Sequence, residues 1–352
     1  MPAQSAIKIA VLITGATGYI GGSVLSGLLK LPEASSKFEF HAVVRNAEKA
    51  KKLNDLFGVK AIIGSHSDQD LMSKEAAKAD IVLAMADCDD VGAAEGVLKG
   101  MKKRYEDTGK PPILIHTSGT GVVWDRSKED GAKGIVWDDE DVAQLDTIHP
   151  EAIHRPAELK VLAADQEGYV KTYIVSPSII YGIARNPLVE AGIANAATVL
   201  FKMLVPPAVK RGAGIFVLDG KNRWPNVHID ELADLYVLLF NAVLTKDISH
   251  GKGGYFFANA DEHEYCDLYN RISQVLFELG KIRNPVPTSF SKEEAKEHFG
   301  DVGGHVYSVL ASDVRCVSNR AKKLGWKPTK TTKDFLDIVP REVEHVLNDS
   351  GQ

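Results

Sequence analysis

Residues 11–22 read VLITGATGYIGG, an apolar run that breaks into a turn with three glycines and then opens a helical period. No other stretch constrains the fold of this chain as tightly. A strand that bends at once into a helix needs a residue without a side chain at the bend, which Gly15 supplies. Gly18 and Gly21 clear room for a ligand and for close helix–strand packing. Ile20, Val24, Leu25, Leu28 and Leu29 then recur at helical spacing. The first N–H groups of such a helix have no partner within it, and its dipole favours an anion beyond the turn. Strand, glycine turn and helix in this order predict a site for the pyrophosphate of a dinucleotide, bordered by Gly15, Thr17, Gly18, Tyr19 and Ile20.

The rest of the composition narrows the class. At 352 residues the chain is long enough for one elaborated domain or two, and 44% hydrophobic with 25% charged residues is ordinary for a globular protein. A net charge of -5, with both signs mixed along the chain, gives no case for nucleic acid or for a membrane surface as partner. Cys88, Cys266 and Cys316 lie far apart, with no Cys-x-x-Cys and no histidine at ligand spacing, so no disulfide framework and no metal are expected. No apolar run approaches membrane-spanning length and no secretory pattern opens the chain, so the expected location is cytoplasmic.

Along the first half, strands and helices alternate. Strands are predicted at 7–13, 38–45, 59–64, 79–86, 112–117 and 171–176, with helices at 47–57, 71–79, 93–105 and 151–166 between them. Near-continuous apolar strands separated by helices make an α/β protein with a Rossmann-type, doubly wound parallel sheet. After Tyr181 the alternation breaks. Residues 1–182 with roughly 226–258 are expected to form the dinucleotide-binding domain, and roughly 183–225 with 259–352 a smaller substrate lobe over the sheet's ligand edge.

Four segments carry a family resemblance: Thr14-Gly-Ala-Thr-Gly-Tyr-Ile-Gly21, the strand ending His116-Thr-Ser-Gly119, Ser176-Pro-Ser-Ile-Ile-Tyr-Gly182, and Asn226-Val-His-Ile-Asp-Glu-Leu-Ala233. In this order they resemble the extended short-chain dehydrogenases/reductases, the superfamily of nucleotide-sugar epimerases, dehydratases and dihydroflavonol-type reductases. Ser318 to Trp326 is similar to that group's C-terminal segment. The resemblance places Ala86, Thr117, Pro177 and Ser178 along the cofactor, and Ser65 and His66 near its adenine.

The end of the second strand bears on cofactor choice. An acidic residue there would accept from the ribose hydroxyls of NAD(H). This chain has Val44-Arg45-Asn46, with Lys49 one turn on. A guanidinium pairs with a 2′-phosphate that a carboxylate would repel, so NADP(H) is the expected cofactor, with NAD(H) the alternative.

The active centre departs from the family pattern. Relatives use a Ser or Thr after the fifth strand, then Tyr-x-x-x-Lys on the next helix, where the Tyr moves the proton. Ser118 fits the first role. The helix reads His149-Pro-Glu-Ala-Ile-His-Arg-Pro-Ala-Glu158, which puts Pro150 at the tyrosine position and His154 at the lysine position. No register restores the pair. The resemblance then leaves Tyr181, beside the expected nicotinamide, as the preferred proton donor and His154 as the ribose contact. His149 and the acidic run Trp137-Asp-Asp-Glu-Asp141 are further candidates. A polar segment between Trp124 and Trp137 could roof the substrate. Asn226, His228 and Asp230 look like a ligand cluster, but Asp230 reads as a helix cap.

These residues predict an NADP(H)-dependent oxidoreductase acting on the carbonyl or secondary alcohol of a small molecule. A nucleotide-sugar epimerase or dehydratase is one alternative, and a non-catalytic NADP(H) sensor is another. The sequence leaves substrate identity open and allows a homodimer.

Overall fold

The computed structural model describes residues 8–125 and 134–349. Seven strands form one sheet: β1 Ile9–Thr14, β2 Phe38–Val44, β3 Lys60–Ile63, β4 Ile81–Ala84, β5 Ile113–Thr117, β6 Lys171–Pro177 and β7 Tyr255–Ala258. They run in the order β7-β6-β5-β4-β1-β2-β3. Every neighbouring pair is parallel. The chain turns from one half of the sheet to the other between β1 and β4, the switch point at whose C-terminal edge ligands of such sheets bind.

Alternation along each strand splits the core in two. Leu12, Val82, Leu114 and Ile174 face one side, where they meet Met72, Val97, Met101 and Val161 of three helices. Val11, Ile13, Leu83, Ile115 and Val175 face the other, against Val24 and Leu25 of helix α1 (Tyr19–Leu29) and Leu232, Leu235 and Tyr236 of the helix Ile229–Thr245. Both faces are therefore dry, which is why these strands read as unbroken apolar runs.

After β6 the chain builds a second, three-stranded sheet from Ile179–Tyr181, Arg223–His228 and Asp261–Glu264. It carries the later helices, including Leu200–Arg211, Tyr265–Glu278 and Thr332–Asp349. Among the described residues no helix is long and apolar enough to cross a membrane.

One boundary differs in a way that matters for the site. The helix expected from 151 begins only at Arg155, with His154 as its N-cap in the left-handed region at φ 68°. Pro156 has no N–H to bond a carbonyl four residues earlier, so the helix cannot run upstream of its own first turn. Pro150 is accordingly on no helix at all.

Candidate functional site

The glycine turn is forced by its surroundings. Gly15 has φ 73°, and a Cβ there would lie 2.3 Å from the carbonyl oxygen of Met85. A Cβ on Gly21 would lie 2.2 Å from the oxygen of Gly15. Thr14 Oγ1 accepts the Met85 N–H at 3.1 Å, which ties the ends of β1 and β4 together at the switch point. Helix α1 opens at Gly18 with no side chain capping it, so its first-turn N–H groups face the cleft edge unclaimed.

That edge is a cleft of about 480 Å³ lined by Gly15, Thr17, Gly18, Arg45, His66 and Ala86, all expected from the sequence. Lys49, Asp87 and Asn195 also line it. Asn195 comes from the second lobe, its N–H donating to the Thr17 carbonyl at 3.2 Å. Among the described residues neither the Arg45 guanidinium nor the Lys49 ammonium has an ion pair or hydrogen bond. By contrast Lys52, on the same helix (Ala47–Phe57), pairs with Glu48 at 3.0 Å. An open helix start, a turn that admits no side chain and two uncommitted cations fit a phosphorylated dinucleotide.

Other expected cofactor residues have their side chains engaged elsewhere. The Tyr19 phenol donates to the Gly182 carbonyl, and Ile20 packs into the core, so both could meet a ligand only through the main chain. Asn46 caps the next helix, its Oδ1 accepting from Lys49 N at 2.9 Å. The Ser65 hydroxyl accepts from Ser67 N at 3.2 Å. Thr117 Oγ1 is 2.6 Å from the Tyr236 hydroxyl, inside the core.

A second pocket, about 340 Å³, opens between β6 and the later lobe. Gly119, Gly121, His154, Pro177 and Ser178 line it together with Trp124, Trp224 and Met203. Ser178 donates to the Ala258 carbonyl at 2.8 Å.

Two of the three expected catalytic side chains do not reach this pocket. Ser118 is buried, and its hydroxyl donates to Glu158 Oε1 at 2.6 Å. Glu158, fully buried, also takes the Tyr255 hydroxyl at 2.8 Å and Arg155 Nη1 at 2.9 Å. A carboxylate inside the protein needs such donors, and Ser118 is one of them. Tyr181 is likewise fully buried; its hydroxyl donates to the Thr331 carbonyl at 3.1 Å and its ring stacks on Phe335. Burial pushes the phenol well above its ordinary value. It is a packing aromatic of the small sheet.

His154 does reach the pocket. Its Nδ1 lies 2.8 Å from Asp89 Oδ1 and 3.3 Å from Cys88 Sγ, and its backbone N–H donates to the same Asp89 oxygen at 3.1 Å. Nε2 sits against the backbone of Gly119 and Gly121, where a Cβ on Gly119 would be 2.9 Å away. Burial opposes the charged ring, but the hydrogen bonds to Asp89 and Cys88 outweigh it and push the pKa up to about 10. Asp89 is held below the ordinary carboxylate range by the same contact. The result is an imidazolium with Nδ1–H anchored and Nε2–H beside the pocket.

Cys88, Asp89 and His154 are the ligand-type cluster that sequence spacing did not reveal, since 65 residues separate Asp89 from its partner. Hydrogen bonds to one nitrogen account for its geometry. The clue lay in the acidic run Asp87-Cys-Asp-Asp90 at the C-terminal end of a strand. The remaining candidates are structural. His149 is exposed and accepts from Glu151 N at 3.2 Å. Asp139 is buried, taking the N–H groups of Phe257 and Arg320. His228, rather than Asp230, is the helix N-cap, and buried Asn226 bonds His263 and Thr332. Most of the expected roof between Trp124 and Trp137 lies outside the described residues.

A parallel sheet with a glycine turn at its switch point and a second lobe over that edge is a fold this chain shares with solved nucleotide-sugar epimerases. Residues 8–102 match the NmrA-like family. Over nearly its whole length the chain is similar to an oxidase, ucsJ, of an Acremonium species, at 28% identity over 95% of this chain and 97% of that one. UDP-glucose 4-epimerase of Thermotoga maritima, solved with UDP-glucose, has the same fold: TM-score 0.63 and 16% identity, covering 96% of this chain and all of that one. UDP-glucuronic acid 4-epimerase of Bacillus cereus, solved with its sugar nucleotide and NAD, gives TM-score 0.62 at 15% identity, with the same coverage of both chains.

Proposed function

We propose that the chain is an NADP(H)-dependent oxidoreductase acting on a carbonyl or secondary alcohol, with His154 as the group that moves the proton. One observation carries this: the turn 85–90 serves both clefts. Met85, Ala86 and Asp87 form the floor of the cofactor cleft, and Asp89, two residues on, fixes His154 at the wall of the second pocket.

The nicotinamide, when bound, supplies or accepts a hydride. The glycine turn and the start of α1 would hold the pyrophosphate, and Arg45 with Lys49 a 2′-phosphate. In the reductive direction His154 Nε2 would give its proton to the carbonyl oxygen as the carbon is reduced, leaving a neutral imidazole that solvent reprotonates. Asp89 keeps Nδ1 protonated and the ring oriented, as a base is oriented by its carboxylate in other enzymes. His154 thus stands in for both missing family residues, the proton donor and the nearby cation. Ser118 and Tyr181 keep the protein folded around it.

The test is calorimetric titration with NADPH and NADH, followed by loss of nicotinamide absorbance against a panel of ketones. His154→Gln should keep NADPH binding within a few-fold and slow turnover by about 10²–10⁴. Tight NADPH binding with no carbonyl reduced would favour the sensor instead.

A further inference from the structure

The pocket beside His154 differs in chemical character from the cofactor cleft. None of its lining residues is Asp, Glu, Lys or Arg. Its walls are the indoles of Trp124 and Trp224 and the aliphatic chains of Ile179, Leu200, Met203 and Val309. Trp224 has its one polar atom already satisfied, Nε1 donating to the Ser312 carbonyl at 2.9 Å, so what it offers a ligand is a fixed apolar ring. Ser178 has spent its proton on Ala258. The basic side chains at the wall are two histidines: His154, committed through Nδ1 to Asp89, and His305, whose ring lies 5.9 Å from that of Trp124.

A sugar nucleotide brings a diphosphate, and an anion taken out of water needs cations or several N–H donors around it. This wall has no Lys or Arg, and its one imidazolium, His154, already faces Asp89. A volume of about 340 Å³ lies at the small end of ligand sites, enough for one or two fused rings. Resting on the oxidoreductase reading, we propose that the pocket takes an uncharged, ring-bearing carbonyl compound and excludes nucleotide sugars. Met203, half-buried and flexible, adapts the wall to the ring edge.

The experiment uses the full chain saturated with NADPH, titrated separately with 2-acetylnaphthalene and with UDP-glucose. The ketone should bind and UDP-glucose should not. Met203→Lys places an ammonium against the ring and should weaken the ketone at least about 10-fold while NADPH affinity holds. Val199→Glu repeats the test at the mouth, where the residue is 67% exposed and the change cannot disturb the core. Binding of UDP-glucose, no binding of the ketone, or unchanged ketone affinity in both variants would overturn the assignment. NADPH consumption in the same samples judges the chemistry separately: a ketone bound with this preference yet never reduced sinks the oxidoreductase and leaves the pocket's ligand class standing.

Discussion

Asp89 holds His154 twice, one carboxylate oxygen accepting both the backbone N–H at 3.1 Å and the ring Nδ1–H at 2.8 Å. The double grip accounts for two anomalies in one residue. It keeps a non-glycine residue in the left-handed region, which costs on the order of 1–3 kcal/mol without such support. It also keeps a largely buried imidazole charged.

The charge gives the first prediction. By NMR the His154 ring should titrate near 10 in the native protein. In Asp89→Asn it should drop towards the free value of about 6.5 or below, since burial then acts unopposed. A folded pKa above the unfolded one stabilises fully below about 6.5, and the stability is lost as pH rises through about 10. Asp89→Asn should therefore lower the denaturant midpoint most near pH 6, roughly, and least above about 10. A uniform loss across that range would show the contact to be structural only.

The proposed function gives Arg45 and Lys49 the choice of cofactor. Arg45→Asp should reduce NADPH affinity about 10- to 100-fold and leave NADH unchanged or improved, because paired bonds to a phosphate become repulsion. An unaltered NADPH/NADH ratio would remove Arg45 from the site.

The glycines should separate by cause. Gly21→Ala drives a methyl group into the Gly15 carbonyl and should destabilise the fold by about 1–3 kcal/mol, read as a lower Tm. At Gly18 the nearest atom to an added Cβ is the Gly15 oxygen at 3.1 Å. Gly18→Val should fold and lose cofactor, its side chain lying where the pyrophosphate would sit. Normal NADPH binding by a folded Gly18→Val would refute the placement.

Glu342 supplies a pH dependence remote from the chemistry. It is fully buried; Oε1 accepts the Gly182 N–H at 2.9 Å, Oε2 has no partner among the described residues, and burial pushes its pKa up to about 7. The folded protein thus favours the protonated acid. Its contribution is present below about 4.5 and is lost as pH rises through about 7, on the order of 3 kcal/mol in all. Glu342→Gln mimics the neutral form and should flatten this part of the stability profile. A variant whose stability falls between those pH values as steeply as the parent's would exclude Glu342.

The sheet was legible because burial on both faces writes itself as apolar runs, and the first glycine turn because only one residue type fits φ 73° with a carbonyl 2.3 Å away. The start of the helix at Arg155 was misplaced because apolar spacing upstream continues through a segment that Pro156 cannot join. The hydroxyls of Ser118 and Tyr181 point away from the second pocket for a different reason. Motif position locates a backbone, whereas Glu158 and Thr331, distant in sequence, decide where those hydroxyls point. Asp89 was missed because its partner lies across the fold on another element.

The shared turn at 85–90 has a consequence for how such a protein can change. Asp87 Oδ1 accepts the Asp89 N–H at 2.9 Å, so the residue facing the cofactor and the residue gripping His154 are bonded to each other. A substitution that reshapes the floor of one cleft shifts the acid in the other. In the proposed enzyme, variants could revise cofactor preference at Arg45, on a separate strand end, but on this side of the cleft a new cofactor geometry and a new proton donor would have to arrive together.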